Sequence, residues 1–247
     1  MWIPSAITGY RPGLFLFIGT FSPLFSAIIV AYLLQGKSDL QDIFSRVKKW
    51  KVGIRWYVFA LFCTAAVTLS AVGIHVFLGG IAEFPLARKE LWVIPVAFIY
   101  VFVFSVLGEE PGWWGFLLPA LIKRTAPAYA SLGVAIAWGL WHLPLFFTEG
   151  NMHQDIPILL FLVQITAFSF LYTWMHIKTY GSLLIVMVFH AASNATLGIV
   201  PVLPQQAAGS IKPLGISVAM LVIITAYIIW KEKAVFQKKP IFLENNK

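Results

Sequence analysis

Two adjacent glutamates, Glu109 and Glu110, and two histidines, His142 and His190, stand inside long apolar runs. Asn194 follows His190 by one helical turn and so shares its face. An ionised side chain at the centre of a bilayer costs roughly 2.5–3.5 kcal/mol on insertion scales, and such residues are functional by default. The apolar runs hold no Lys or Arg that could pair with the glutamates. The carboxylates therefore need a proton, a metal, water or strong hydrogen bonds. Three chemistries use these groups. A carboxylate and an imidazole can activate a water for hydrolysis, with a second imidazole and an amide stabilising an oxyanion. Glu109, His142 and His190 form a two-His, one-carboxylate set, as in catalytic zinc sites, although no HExxH is present. Intramembrane Glu and His also build proton relays in carriers, a reading weakened by the lack of an internal repeat. Nucleophilic catalysis has little support, because no Ser/His/Asp pattern is evident and Cys63 has no identifiable base.

The elements that must carry these residues are membrane spans. Hydrophobic residues make up 60% of the 247 residues and charged ones 11%, with a mean hydropathy of +0.83. Soluble domains average roughly 45–50% apolar and about 25% charged. This composition excludes a disordered chain, a coiled coil and an ordinary soluble enzyme. A spanning helix needs about 20 mostly apolar residues. Seven runs qualify: roughly 12–35, 55–80, 92–122, 127–147, 156–177, 180–199 and 211–230. None alternates with period two, so a β-barrel is not expected. The predicted fold is an all-α polytopic bundle of about seven or eight spans around a polar intramembrane cavity, a single domain over 1–247. The third run is expected to be two half-helices broken near Pro111, since a proline disfavours α geometry at the residue before it. That break would set both glutamates near a half-helix N-terminus, where free N–H groups favour anions. Pro23 predicts a kinked or partly interfacial first span. No cleavable signal peptide is expected.

Fourteen of the eighteen Lys and Arg fall in one set of alternate loops, including the run Arg46–Arg55. The other four, Arg11, Arg88, Lys89 and Lys212, fall in the opposite set. The positive-inside rule then puts the C-terminus in the cytoplasm. It also accounts for the net charge of +8, so no nucleic-acid partner is implied. Arg46–Arg55 reads either as a solvated loop or as a contact for anionic lipid headgroups. Trp56, Tyr57, Trp92 and Trp230 read as interfacial anchors. Cys63 cannot form an internal disulfide and reads as a small core residue.

Depth brings the polar residues together. Glu109 and His142 are equally far from a turn at 125–126, each about 24 Å along a helix. His190 lies roughly 18 Å beyond a turn near 178–179. Three segments can thus present Glu, His and His/Asn at one level. His75, His176 and His153 read as structural.

The same residues stand in three ordered motifs. Glu109-Glu110-Pro111-Gly112-Trp113-Trp114-Gly115 resembles the first motif of the CPBP intramembrane proteases, a family that includes the type II CAAX prenyl endopeptidases and bacteriocin-processing or self-immunity proteins. The run Trp138 to Pro144, with an aromatic residue ahead of His142, resembles the second, and His190-Ala-Ala-Ser-Asn194 the third. The resemblance covers about residues 92–200. In one respect the chain departs from the pattern: the family usually carries Arg five residues after the first Glu, and here that position is Trp114, leaving Glu110 with no obvious partner.

The resemblance implies an intramembrane endopeptidase. Glu109 would be the general base, His142 would orient the water, Glu110 would orient the site or shuttle protons, and His190 with Asn194 would hold the oxyanion. Whether a divalent metal, such as zinc on Glu109, His142 and His190, takes part is left open. Its partners would be a hydrophobic or lipidated peptide and membrane lipids. The expected location is the plasma membrane of a prokaryote. Trp114 motivates the alternative of a non-catalytic immunity or scaffold protein.

Overall fold

The computed structural model describes residues 13–35, 37–84 and 90–240; Arg11, Arg88, Lys89 and Lys247, used in the charge count, lie outside them. The described chain is helical, with no strand among those residues. In order come α1 (Gly13–Gln35), α2 (Lys37–Val47), α3 (Ile54–Phe77), α4 (Val93–Ile122), α5 (Pro127–His142), α6 (Ile158–Lys178), α7 (Leu183–Ile199), α8 (Lys212–Lys231) and the short α9 (Lys233–Gln237). Seven of these are long and apolar enough to cross a membrane. Their bounds follow the predicted runs closely, because a bilayer-length apolar segment must close all its backbone hydrogen bonds internally.

The core sits around α7. Of residues 183–196, only Leu184 and Asn194 are not fully buried. It packs against α3, the first turns of α4, and α6, while α8 leans on α3 and α6. Outward positions are apolar and exposed, such as Phe62, Leu140 and Ile223, as expected where the solvent is lipid. Trp92 and Trp230 are exposed at helix ends, in keeping with an anchoring role. Trp56 departs from that reading: it is buried edge-on against Trp174, at 4.9 Å between ring centroids. Arg46 departs too. It is buried on α2 rather than solvated, and donates to Asp42 Oδ2 at 2.6 Å.

The basic loops meet at one end of the bundle. Lys49 Nζ donates to the Tyr180 carbonyl at 3.0 Å, Lys178 pairs with Glu232 at 3.1 Å, and Lys239 Nζ reaches the Lys123 carbonyl at 2.8 Å.

The predicted break at Pro111 is not present. Helix α4 runs through it, with Glu110 at φ −62°, ψ −36° and Pro111 at φ −60°, ψ −31°. Two wider π-helical stretches, Phe102–Val106 and Pro111–Leu117, flank the α turn Leu107–Glu110. The second begins at the proline, whose missing N–H a wider turn tolerates. No half-helix N-terminus therefore faces the glutamates, and the helix dipole does not stabilise them. Helix α1 is likewise continuous through Pro23.

Helix α1 packs on the glutamate turn through two glycines, spaced so that backbones can touch. A Cβ on Gly108 would lie 2.8 Å from the Thr20 carbonyl oxygen, and one on Gly112 2.6 Å from Pro23 backbone and ring atoms. Gly73, in α3, has open space around it. Gly112→Ala is predicted to destabilise the protein by about 1–3 kcal/mol. Gly73→Ala should be neutral or slightly stabilising. Chemical unfolding of the two variants in detergent checks the contrast.

Candidate functional site

Each motif side chain is set by local helix geometry. In α4, Ser105 stands one turn before Glu109, and its hydroxyl donates to Glu109 Oε1 at 2.8 Å. Helix α5 ends at His142 because Pro144 has no N–H for the Leu140 carbonyl, which the Leu143 N–H takes instead. A tighter 3-10 turn, Leu143–Phe147, follows. His190 and Asn194 share one face of α7.

The tertiary structure joins these elements by hydrogen bonds. The Trp138 indole N–H donates to Glu109 Oε2 at 3.1 Å. His142 Nδ1 is 2.9 Å from the Trp138 carbonyl. A carbonyl only accepts, so Nδ1 carries the hydrogen, and a neutral His142 offers its Nε2 lone pair. His190 Nδ1 lies 2.6 Å from Glu110 Oε1, and Asn194 Nδ2 lies 3.0 Å from His190 Nε2. With Nδ1–H donating to the carboxylate, Nε2 accepts from the Asn194 amide. Glu110 thus has a partner after all, supplied by α7. Its second oxygen, Oε2, is buried and has no hydrogen-bond partner among the described residues. Trp114, where the chain departs from the motif it resembles, is fully buried edge-on against Trp138 and Tyr172, with ring centroids 5.3 and 4.6 Å away.

A cavity of about 300 Å³ opens beside this network. Its polar lining includes His142, His153, His190 and Asn194, and aromatic and aliphatic residues such as Phe161, Phe168 and Leu203 form much of the rest. Neither glutamate lines it. Trp138 does, and its ring stands 5.6 Å from each of the His142 and His190 rings. Glu109 is therefore held behind the indole rather than at the cavity surface. The loops over the mouth are tied together by Gln205, whose amide nitrogen donates to the Met152 carbonyl at 3.0 Å and to Asp155 Oδ2 at 2.6 Å. These loops lie at the opposite end of α6 and α7 from the basic loops.

Glu109, Glu110, His142, His190 and Asn194 are thus brought into one neighbourhood. Glu109, His142 and His190 are not gathered as a ligand set, and among the described residues no group of three His, Cys, Asp or Glu could hold a metal ion. In this geometry the residues do not fit a three-ligand zinc site.

Three participants were not singled out from sequence. Ser105 was findable from its one-turn spacing to Glu109. Trp138 stands in the second motif, but its donor role depends on α4 and α5 packing together. His153 read as a structural loop residue, yet its ring lies 5.6 Å from His142 at the cavity. Its Nδ1 is 2.7 Å from Asn151 Oδ1. His75 and His176 are buried away from the cavity lining, and His75 Nε2 lies 3.2 Å from the Ile81 carbonyl.

Residues 89–196 match a family model described as type II CAAX prenyl endopeptidase Rce1-like. A 152-residue stretch is 26% identical to a protein named CAAX prenyl protease 2 from Methanococcus maripaludis, covering 59% of this chain. The match covers 53% of that relative, so the chain spans about half its length.

Burial pushes the His153 imidazole down to about 4, from an ordinary value of 6.5. The unfolded chain then takes up this proton first as pH falls, so the native state loses stability between about pH 6.5 and 4. The melting temperature in detergent should drop across that window, and His153→Phe should flatten the drop.

Proposed function

We propose that the chain, whose residues 89–196 match the Rce1-like model, is a CPBP-type intramembrane protease, an endopeptidase cleaving a hydrophobic or lipidated peptide within the membrane. The observation that carries this reading is the apolar cavity with His142, His190 and Asn194 on its wall and both glutamates directly behind it. A peptide segment fits such a lining, while the polar groups converge on one side. The protein is assigned to the plasma membrane of a prokaryote, with its C-terminus in the cytoplasm.

In the proposed reaction, a water donates a hydrogen bond to His142 Nε2 as it approaches the scissile carbonyl. Glu109 takes its proton as the hydroxide adds to the carbonyl carbon. Glu109 stands behind Trp138, so this step requires the indole to swing aside. Catalytic hydrogen bonds commonly tighten only with substrate bound. The oxyanion is assigned to Asn194. One hydrogen of its amide goes to His190 and leaves the other for the intermediate. Glu110 holds His190, and His190 holds Asn194. The proton then passes from Glu109 to the leaving nitrogen as the C–N bond breaks. No step is routed through a metal, because its ligands are not assembled.

Purified protein offered lipidated and unmodified hydrophobic peptides should yield two fragments by mass spectrometry. Glu109→Gln and His142→Ala should each lower kcat/KM by about 10²–10⁴-fold. Asn194→Ala should cost about 10²-fold, chiefly in kcat. Cleavage undiminished in both Glu109→Ala and His142→Ala rejects the reading. A chelator titration with metal analysis runs alongside, and activity lost to the chelator and restored by zinc would replace the direct mechanism with a metal-assisted one. Trp114 favours a second reading, a fold kept for a non-catalytic immunity or scaffold role. That reading gains if biological complementation survives combined Glu109→Gln, His142→Ala and His190→Ala.

A further inference from the structure

A second cleft lies at the basic end of the bundle, remote from the cavity. Its volume is about 570 Å³, and it is enclosed by the loop before α3 and the turn between α6 and α7. Five cations border it, Lys48, Lys49, Lys51, Arg55 and Lys178, and among the described residues no carboxylate does. Two of them are already engaged. Lys49 Nζ holds the Tyr180 carbonyl at 3.0 Å, and Lys178 holds Glu232 at 3.1 and 3.2 Å. Lys48, Lys51 and Arg55 have no carboxylate in ion-pair range among the described residues. Lys51 lies over the Trp50 ring at 5.5 Å and Arg55 over the Trp56 ring at 5.3 Å.

The cleft is built rather than left over. Ser182 Oγ donates to the Lys49 carbonyl at 2.6 Å, and Tyr57 Oη to the Trp50 carbonyl at 2.7 Å. Tyr180 adopts the left-handed conformation, at φ 54°, which turns the chain where Lys49 grips it. Like charges held together repel. Burial, with the neighbouring Arg46 guanidinium, pushes the Lys49 ammonium down from its ordinary value. The 24-residue helix α3 starts at the cleft after Gly53, which supplies no side-chain cap for its first turn, although the Trp56 N–H donates to the Gly53 carbonyl at 2.9 Å. An anion would answer both deficits.

A second observation identifies what the anion is attached to. Directly along α3 from the cleft, Ile54, Val58 and Phe62 form an exposed apolar stripe at one-turn spacing, 77%, 51% and 61% exposed. Exposed Trp50 stands at the rim. A ligand with a phosphoryl head and a hydrocarbon tail would satisfy cleft and stripe together. We propose that this cleft is a binding site for the phosphodiester headgroup of an anionic phospholipid, with its acyl chains lying along α3.

Full-length protein in nonionic detergent would be offered phosphatidylglycerol and phosphatidylcholine of identical chains, and retained lipid counted by native mass spectrometry. The wild type should keep phosphatidylglycerol at least about tenfold better, given the attraction of each basic residue for an anionic headgroup. Replacing Lys48, Lys51 and Arg55 together by Gln should weaken retention by roughly a hundredfold. Lys231→Gln with Lys233→Gln, which removes charge at the same end but outside the cleft, should leave it unchanged. Equal retention of the two lipids by the wild type overturns the proposal without recourse to any variant. So does equal loss in both variants, which would mean diffuse charge. Complete displacement of the lipid by millimolar inorganic phosphate also overturns it, since the stripe would then contribute nothing.

Discussion

Two carboxylates side by side in a membrane span, with no Lys or Arg paired to either among the described residues, set the central constraint on this protein. Each needs donors from within the protein, because lipid offers none. The bundle supplies them from three directions: a hydroxyl from α4 itself, an indole N–H from α5 and an imidazole from α7. Removing any of these would leave a buried carboxylate short of partners, which costs more than the bond itself contributes. The packing of α4 against α5 and α7 is therefore tied to the chemistry of the site.

Small residues and π turns make that packing possible. Gly108 and Gly112 let α1 sit backbone to backbone on the glutamate turn, closing it from the lipid side. The π-helical stretches on either side change the face each glutamate presents. Trp138 then links what they present. It binds Glu109 through its indole, His142 through its carbonyl, and lies close to His190 and Trp114 through its ring. Trp114 is fully buried and packs edge-on against Trp138 and Tyr172, adding no polar group to the site. This leaves the Glu110–His190–Asn194 chain as the site's main polar connection across helices.

The molecule separates its two chemistries by position. The histidine-lined cavity, with its polar groups on an apolar wall, opens under the loops around Met152 and Gln205. The cationic cleft lies at the other end of α6 and α7, where three long-range contacts gather the lysine-rich loops. Charge of one sign kept remote from buried carboxylates avoids collapsing either feature into an ion pair.

The amino-acid sequence by itself determined the seven apolar spans and the charge asymmetry of the loops, and it singled out the five polar residues that the fold brings into one neighbourhood. Each follows from composition or spacing: apolar length for the spans, the distribution of Lys and Arg for the asymmetry, and costly polar residues inside apolar runs for the candidates. Only the tertiary structure decided that α4 continues through Pro111. A proline's local preference can be overridden by a π turn and by neighbours packed around it. It also decided that Glu110 pairs with His190, that Glu109 lies behind Trp138, that Arg46 and Trp56 are buried, and that His153 joins the cavity. All of these depend on which helix faces which. That is settled by close packing among residues as much as 133 positions apart, as between Lys49 and Ser182, and no local pattern encodes it.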